Sequence, residues 1–284
     1  MLFKTLLESR LNQQIRNITV MHGGDINQVY LLETPGNRYV LKRNSRDSFP
    51  GMFVKEAGGL SILGGSGIRT PRIADVFEEG LEQYLLLEWI REERAGSSMW
   101  KRFGEQLAET HGGTAAHFGL DHDNYIGSLV QRNEKRETWA EFFAENRILP
   151  LARESRNRGL LDKQLLQDLE KLLHRLPLLV PIEKPALLHG DLWSGNLLCG
   201  QGQEPVLIDP AVYYGHREMD IAMTAMFGGF DPLYLEAYNG IFPMETGWEE
   251  RIALHNLYPN LVHLVLFGSA YLRNISAAVR RFAG

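Results

Sequence analysis

His189-Gly190-Asp191-Leu192-Trp193-Ser194-Gly195-Asn196 is followed, ten residues on, by Val206-Leu207-Ile208-Asp209. An apolar run, Ala186-Leu187-Leu188, leads into the first string, and Leu197 to Cys199 and Val206 to Ile208 have the length and composition of short strands. An Asp, an Asn five positions later and an Asp ending an apolar strand form the minimum set for ATP-dependent phosphoryl transfer on a kinase-type fold. In that reading Asp191 takes the proton of an attacking hydroxyl, and Asn196 and Asp209 offer oxygen ligands to Mg2+. A strand–loop–strand with ordinary polar turns is the bland alternative. Order, spacing and flanking strands together disfavour it.

Working outward, Asp209 is followed by Pro210 and not by Phe-Gly, and only ten residues separate it from Asp220. That leaves no room for a long activation segment and argues against a regulated protein kinase. Asp220 is placed either to cap a helix beginning there or to hold the catalytic loop from beneath. His189 is expected to order the loop by hydrogen bonds. Upstream, Lys42 ends the strand Tyr39-Val40-Leu41-Lys42, where a kinase places the lysine that grips the α- and β-phosphates, and Glu56 in the next helix can fix it. Gly23, Gly24, Asp25 and Asn27 lie in a turn between two strands, where backbone N–H groups can approach phosphates. Taken alone, that turn reads more readily as an ordinary hairpin. Leu85-Leu86-Leu87-Glu88-Trp89-Ile90 is an apolar strand entering a charged stretch, and adenine is expected to dock on the backbone of Glu88, Trp89 and Ile90.

The 284 residues, 44% hydrophobic and 23% charged, describe an ordinary globular protein, and the net charge of −5 gives no reason to expect a nucleic-acid partner. No apolar run approaches a membrane span, the start carries no secretory pattern, and the one cysteine, Cys199, cannot form an internal disulfide. A cytoplasmic enzyme is expected. The fold expectation is α+β and two-lobed, protein kinase-like: a small β-rich lobe over residues 1–90 and a larger, mainly helical lobe over 91–284. Helices are expected over 4–16, 53–64, 97–112, 136–156, 160–174, 217–227, 231–239 and 247–281. His111, His117, Asp121 and His122 share no helical face and read as structural.

The His-Gly-Asp…Asn…Asp pattern resembles the aminoglycoside phosphotransferase and choline kinase superfamily. His189-Gly-Asp-Leu-Trp-Ser-Gly-Asn196, Asp209-Pro-Ala-Val-Tyr-Tyr-Gly-His-Arg-Glu218, Phe118-Gly-Leu-Asp-His-Asp-Asn-Tyr-Ile-Gly127 and Trp139-Ala-Glu-Phe-Phe-Ala-Glu-Asn-Arg147 are similar to the fructosamine kinase (ketosamine 3-kinase) family. The resemblance implies phosphorylation by ATP of the 3-hydroxyl of ketosamines (ribulosamines, erythrulosamines or fructosamines), free or on a protein lysine. The product sheds its sugar and the amine is repaired. It implies Asp191 as the catalytic residue and residues 88–90 as the adenine hinge. Trp193 stands beside the acceptor hydroxyl, where an indole can pack on a sugar's C–H face or attract a cationic amine; a core plug under the loop is the other reading. Tyr213, Tyr214, His216 and Arg217 are candidates for the acceptor pocket. An aminoglycoside or choline-like acceptor, and an ATP-binding pseudokinase, are the rival readings. A monomer or weak homodimer is expected.

Overall fold

In the computed structural model, residues 2–21 and 26–283 are described. The first part of the chain builds helix α1 (Leu2–Leu11), strands β1 (Asn17–Met21), β2 (Gln28–Glu33) and β3 (Arg38–Ser45), helix α2 (Met52–Gly65), and strands β4 (Ile73–Glu79) and β5 (Glu82–Glu88). The five strands form one antiparallel sheet in the order β1-β2-β3-β5-β4. Tyr84 to Leu87 shows no polar alternation because both faces of this sheet are covered. Tyr84 and Leu86 face Leu7 and Ile15 on the α1 side, whereas Leu85 and Leu87 face Met52, Phe53, Ala57 and Leu60 on the α2 side. Each such fully buried side chain stabilises by about 1.5–3 kcal/mol. These two small cores fix α2 against β3 and β5.

The remainder is mainly helical. It comprises α3 (Ser97–Gly112), the hairpin β6 (Asn124–Ile126) and β7 (Leu129–Gln131), and α4 (Trp139–Phe142), which passes through a π turn (Phe143–Ile148) into α5 (Leu149–Asn157). Then come α6 (Lys163–Leu179), β8 (Ala186–Leu188), β9 (Leu197–Gly200), β10 (Glu204–Leu207), β11 (Tyr213–Gly215), α7 (Glu218–Phe227), α8 (Leu233–Ile241), α9 (Trp248–His255), α10 (Leu257–Phe267) and α11 (Leu272–Phe282). The architecture is α+β, as expected. The single helix expected over 247–281 is three helices, broken at Asn256 and at Gly268, whose φ of +88° no continuing helix permits. The three-residue strands β6, β7 and β11 were not foreseen, since so short a run has no periodicity to read.

Three acceptor candidates are corrected by their burial. Tyr213 is 0% exposed and lies over the Arg147 guanidinium and against Phe142. Arg217, 2% exposed, is tied to Glu183 and donates to the carbonyls of Phe242 and Pro243. His216, 0% exposed, stacks on His255 at 5.2 Å. The sequence Tyr-Tyr-Gly-His-Arg looks like a polar loop. Pairing of β11 with β8 draws it inward, where His216 and Arg217 find hydrogen-bond partners and the Tyr213 hydroxyl finds none among the described residues.

This interior gives the fold an acid limit. Burial, then the neighbouring His255, lowers the His216 imidazole to about 3. Glu218 is lowered to about 2, because hydrogen bonds from Arg251 and His255 outweigh its burial. Both folded-state values lie below those of an unfolded chain. Their stabilisation is therefore complete above the ordinary pKa and is lost as pH falls, first through His216 below about 6.5, then through Glu218 below about 4.5. At pH 4.5 His216 alone is expected to remove about 3 kcal/mol. Urea midpoints measured from pH 7.5 to 4.5 check this: a steep fall below pH 6.5 is expected, and a flatter profile in His216→Gln.

Candidate active site

The β9–β10 hairpin places two of the site residues side by side. Leu207 pairs with Leu197, and the Ile208 N–H donates to the Asn196 carbonyl at 3.0 Å, so Asn196 and Asp209 sit at the open end of one hairpin. Asp209 takes φ +55°, a conformation uncommon outside glycine, which turns its carboxylate away from the strand. Its Oδ1 meets Lys42 Nζ at 2.5 Å, and Lys42 also donates to Glu56 Oε1 at 2.7 Å. Register explains the meeting. Lys42 lies opposite Leu85, hence on the α2 face of the sheet, where Glu56 awaits it. Lys42 is only 6% exposed, and its two carboxylate partners hold its pKa above the usual lysine range despite the opposing effect of burial. It carries its charge at any working pH.

Asp191 stands on the loop after β8. Gly190 before it has φ +82°, and a Cβ there would meet the Ala211 carbonyl oxygen at 2.1 Å, so glycine is required twice over. The loop is held from beneath by Asp220, whose carboxylate accepts the N–H groups of His189 (2.7 Å) and Gly190 (3.0 Å) and contacts His111 Nε2 at 3.3 Å. His189 accepts the Asp191 N–H at Nδ1 (3.2 Å), which makes Nε2 the donor to the Ile208 carbonyl (2.9 Å) and fixes the tautomer. Asn196 Nδ2 donates to the Asp191 carbonyl at 2.9 Å and to its Oδ2 at 3.1 Å. Burial, then the nearby Asp209 charge, raises the Asp191 carboxyl to about 7.

Lys42, Glu56, Asn196, Asp209, Asp191 and Asn27 line one cleft of about 200 Å³. Asn27 accepts a bond from Asn44 at 2.7 Å. Gly23, Gly24 and Asp25 lie outside the described residues. Magnesium fits this donor set. Asp209 presents a carboxylate whose side chain is 43% exposed, and Asn196, its Nδ2 committed to Asp191, has its amide oxygen left to offer; both are hard oxygen ligands. At the hinge, the Glu88 N–H is spent on Arg72 (2.8 Å) and that of Trp89 on Arg38 (3.2 Å). The Ile90 N–H has no such partner among the described residues. The Glu88 side chain turns to Arg69 and Arg72.

A second, larger cavity of about 700 Å³ opens on the other side of Asp191. Trp193, 39% exposed, forms part of its wall and packs edge-on against Phe227 at 6.2 Å. Gly195 makes room for the indole, since a Cβ there would lie 2.2 Å from the ring. The core-plug reading of Trp193 is thus set aside. Met223 and the aromatic side chains of Phe227, Tyr258, His263, Phe267 and Tyr271 complete the wall. Sequence reasoning missed these six because they sit on α7, α10 and the turn after it, where apolar residues look like core. The one visible signal was the Gly-rich end of each helix, Gly228 and Gly268.

A cleft with a Lys–Glu pair and two oxygens able to ligate a metal, joined through an Asp to a larger cavity, fits an ATP-dependent phosphotransferase of the kinase-like class. The fructosamine kinase family model matches residues 2–283, and the chain belongs to that family. It is 40% identical over 265 residues to a "Probable ketoamine kinase" of Enterococcus faecium, covering 92% of this chain and 93% of that one. It is 36% identical over 271 residues to the chloroplastic protein-ribulosamine 3-kinase of Arabidopsis thaliana, covering 91% and 80%. The crystal structure of a "putative fructosamine-3-kinase" from Thermobifida fusca superposes with a TM-score of 0.89 at 37% identity, over 98% of this chain and 96% of that one. An aminoglycoside phosphotransferase solved with AMP-PNP and hygromycin B shares the fold, with a TM-score of 0.67 at 16% identity over essentially the whole of both chains (99% and 99%).

Proposed function

We propose that the protein transfers the γ-phosphoryl group of ATP to the 3-hydroxyl of a ketosamine, with ribulosamine, erythrulosamine and fructosamine as the acceptor class. The observation that carries this is the acceptor cavity. Its wall is aromatic and aliphatic, and among the described residues its carboxylates are Asp191 and Asp220, the latter already engaged by the loop. A polycationic aminoglycoside calls for acidic lining; a single sugar bearing one amine substituent calls for apolar faces with few polar groups. The names of the Enterococcus and Arabidopsis relatives support the same acceptor class.

In this reading adenine rests on the hinge with the Ile90 N–H as donor, and Lys42, held by Glu56, grips the phosphates. Asn196 and Asp209 would hold Mg2+, which neutralises charge on the transferring phosphoryl group. Asp191 orients the hydroxyl and takes its proton as the oxygen–phosphorus bond forms and the β–γ bridge breaks, releasing ADP. Catalysis is alignment and charge neutralisation. The reaction is placed in the cytoplasm, on free or protein-bound ketosamine, with the protein a monomer or weak homodimer. Cys199 is a free, buried thiol, and no helix among the described residues is long and apolar enough to cross a membrane.

ATP consumption with ribuloselysine, set against hygromycin B and choline, tests the acceptor class. Turnover is expected with the ketosamine; phosphate on either rival with none on ketosamines would defeat the reading. ATP binding without transfer to any acceptor would favour the pseudokinase. Phe227→Ala removes the ring that supports Trp193. It is expected to raise the acceptor KM by about tenfold and leave the KM for ATP within about twofold.

A further inference from the structure

The β6–β7 hairpin reaches from the helical part of the chain to the cleft lined by Lys42 and Asp209, and its buried face sets two amides, Asn124 and Gln131, beside Ile126. Asn124 Nδ2 donates to the Val212 carbonyl at 2.8 Å, and Gln131 Nε2 to the Ala211 carbonyl at 2.9 Å. These carbonyls lie three and two residues beyond Asp209. The amides are themselves locked. Gln131 Nε2 and Asn133 Nδ2 both donate to Asn124 Oδ1, at 2.8 and 2.9 Å, and the Tyr258 hydroxyl donates to Gln131 Oε1 at 2.8 Å. Asn133 Oδ1 receives Arg147 Nη2 at 2.8 Å. Asn124, Gln131 and Asn133 are 4%, 2% and 1% exposed, so each bond made here replaces one that water cannot supply.

The Asp209 turn needs such support. A left-handed residue other than glycine costs roughly 1–2 kcal/mol, and the conformation persists only where its surroundings impose it. The hairpin also touches the other half of the ion-pair cluster. The Tyr125 hydroxyl donates to the Pro50 carbonyl, just before α2, at 3.2 Å. Its ring meets Phe49 edge-on at 6.5 Å and lies 5.0 Å from Lys55 Nζ. Helix α2 in turn rests on the same segment at Gly59, where a Cβ would approach Pro210 and Val212 to 3.3 Å. Glu56, on α2, and Asp209 are thus referenced to one rigid element.

We propose that the β6–β7 hairpin, through Asn124, Gln131 and Tyr125, is the positioning element that fixes Asp209 and Glu56 relative to each other for magnesium–nucleotide binding. It does constitutively what regulated kinases do with a mobile activation segment. The inference rests on the proposed role of Asp209 as a magnesium ligand.

The experiment measures calorimetric affinity for AMP-PNP with magnesium and with EDTA, unfolding temperature without nucleotide, and kcat and KM, in Gln131→Met, Tyr125→Leu and Asp209→Asn. Gln131→Met is expected to weaken magnesium–AMP-PNP binding by about tenfold or more and to lower kcat, with EDTA affinity and acceptor KM within about twofold. Tyr125→Leu, on the accessible side of the hairpin, is expected to show the same pattern at about three- to tenfold with an unchanged unfolding temperature, and it decides alone if Gln131→Met does not fold. Folded hairpin variants with parental magnesium-dependent affinity would overturn the proposal, as would a loss equal with and without magnesium. If Asp209→Asn itself keeps full magnesium-dependent affinity, the reading of Asp209 fails; if only the hairpin variants keep it, the positioning role fails alone.

Discussion

Asp191→Asn is expected to lower kcat by about 10³-fold, near the upper part of the range for losing a general base, while nucleotide affinity and unfolding temperature stay close to the parent. The geometry isolates the effect. The Asp191 N–H and carbonyl, which tie the loop to His189 and Asn196, are backbone groups that the substitution leaves in place. Only the carboxylate that accepts the Asn196 amide changes, and an Asn oxygen can accept the same bond. The loop's underpinning comes from Asp220, which is untouched. Steady-state kinetics with calorimetric nucleotide binding checks the split. A comparable loss of nucleotide affinity would mean that Asp191 holds the nucleotide and not the acceptor.

Lys42→Met is expected to act on both stability and nucleotide use. The ammonium is the cation between Glu56 and Asp209, and Glu56 is as enclosed as Lys42 itself, with side chains 12% and 8% exposed. Removing one partner of a buried pair leaves an uncompensated charge and costs about 3–5 kcal/mol. Part of that is recovered by protonation of Glu56, whose carboxyl burial already pushes upward. The kcat/KM for ATP is expected to fall about 10²–10³-fold from lost phosphate contact. Glu56→Gln, which keeps a hydrogen-bonding oxygen toward Lys42, is expected to cost about tenfold. Unfolding midpoints and ATP titrations of the two variants check the order. Equal losses in both would assign the effect to the pair's structural role alone.

The grouping of Asp191, Asn196 and Asp209 was legible because these residues are close in sequence and rigidly spaced. An Asp, an Asn five positions on and an Asp ending a strand leave few other readings once the flanking apolar runs are seen. Lys42 and Glu56 were legible by order: a lysine on a strand, then a carboxylate in the next helix. The wall of the larger cavity was not. Phe227, His263 and Tyr271 come from helices far apart in the chain, and an aromatic residue lining a cavity has the same spacing as one filling a core. Tyr213, His216 and Arg217 failed for the opposite reason. A run of polar and aromatic residues beside the motif looks exposed until a three-residue strand, invisible to periodicity, folds it inward. The hairpin role of Asn124 and Gln131 was hidden too, since an amide that binds distant carbonyls leaves no local pattern.

The central claim is tested most directly by phosphorus and carbon NMR of the product formed from ATP and ribuloselysine, with Asp191→Asn as control. Phosphate on the sugar's 3-hydroxyl is expected, followed by release of the sugar phosphate and recovery of free lysine, with product from Asp191→Asn forming about 10³-fold more slowly. Phosphate at another position, or equal turnover by Asp191→Asn, would contradict the assignment of the base and of the acceptor geometry built around it.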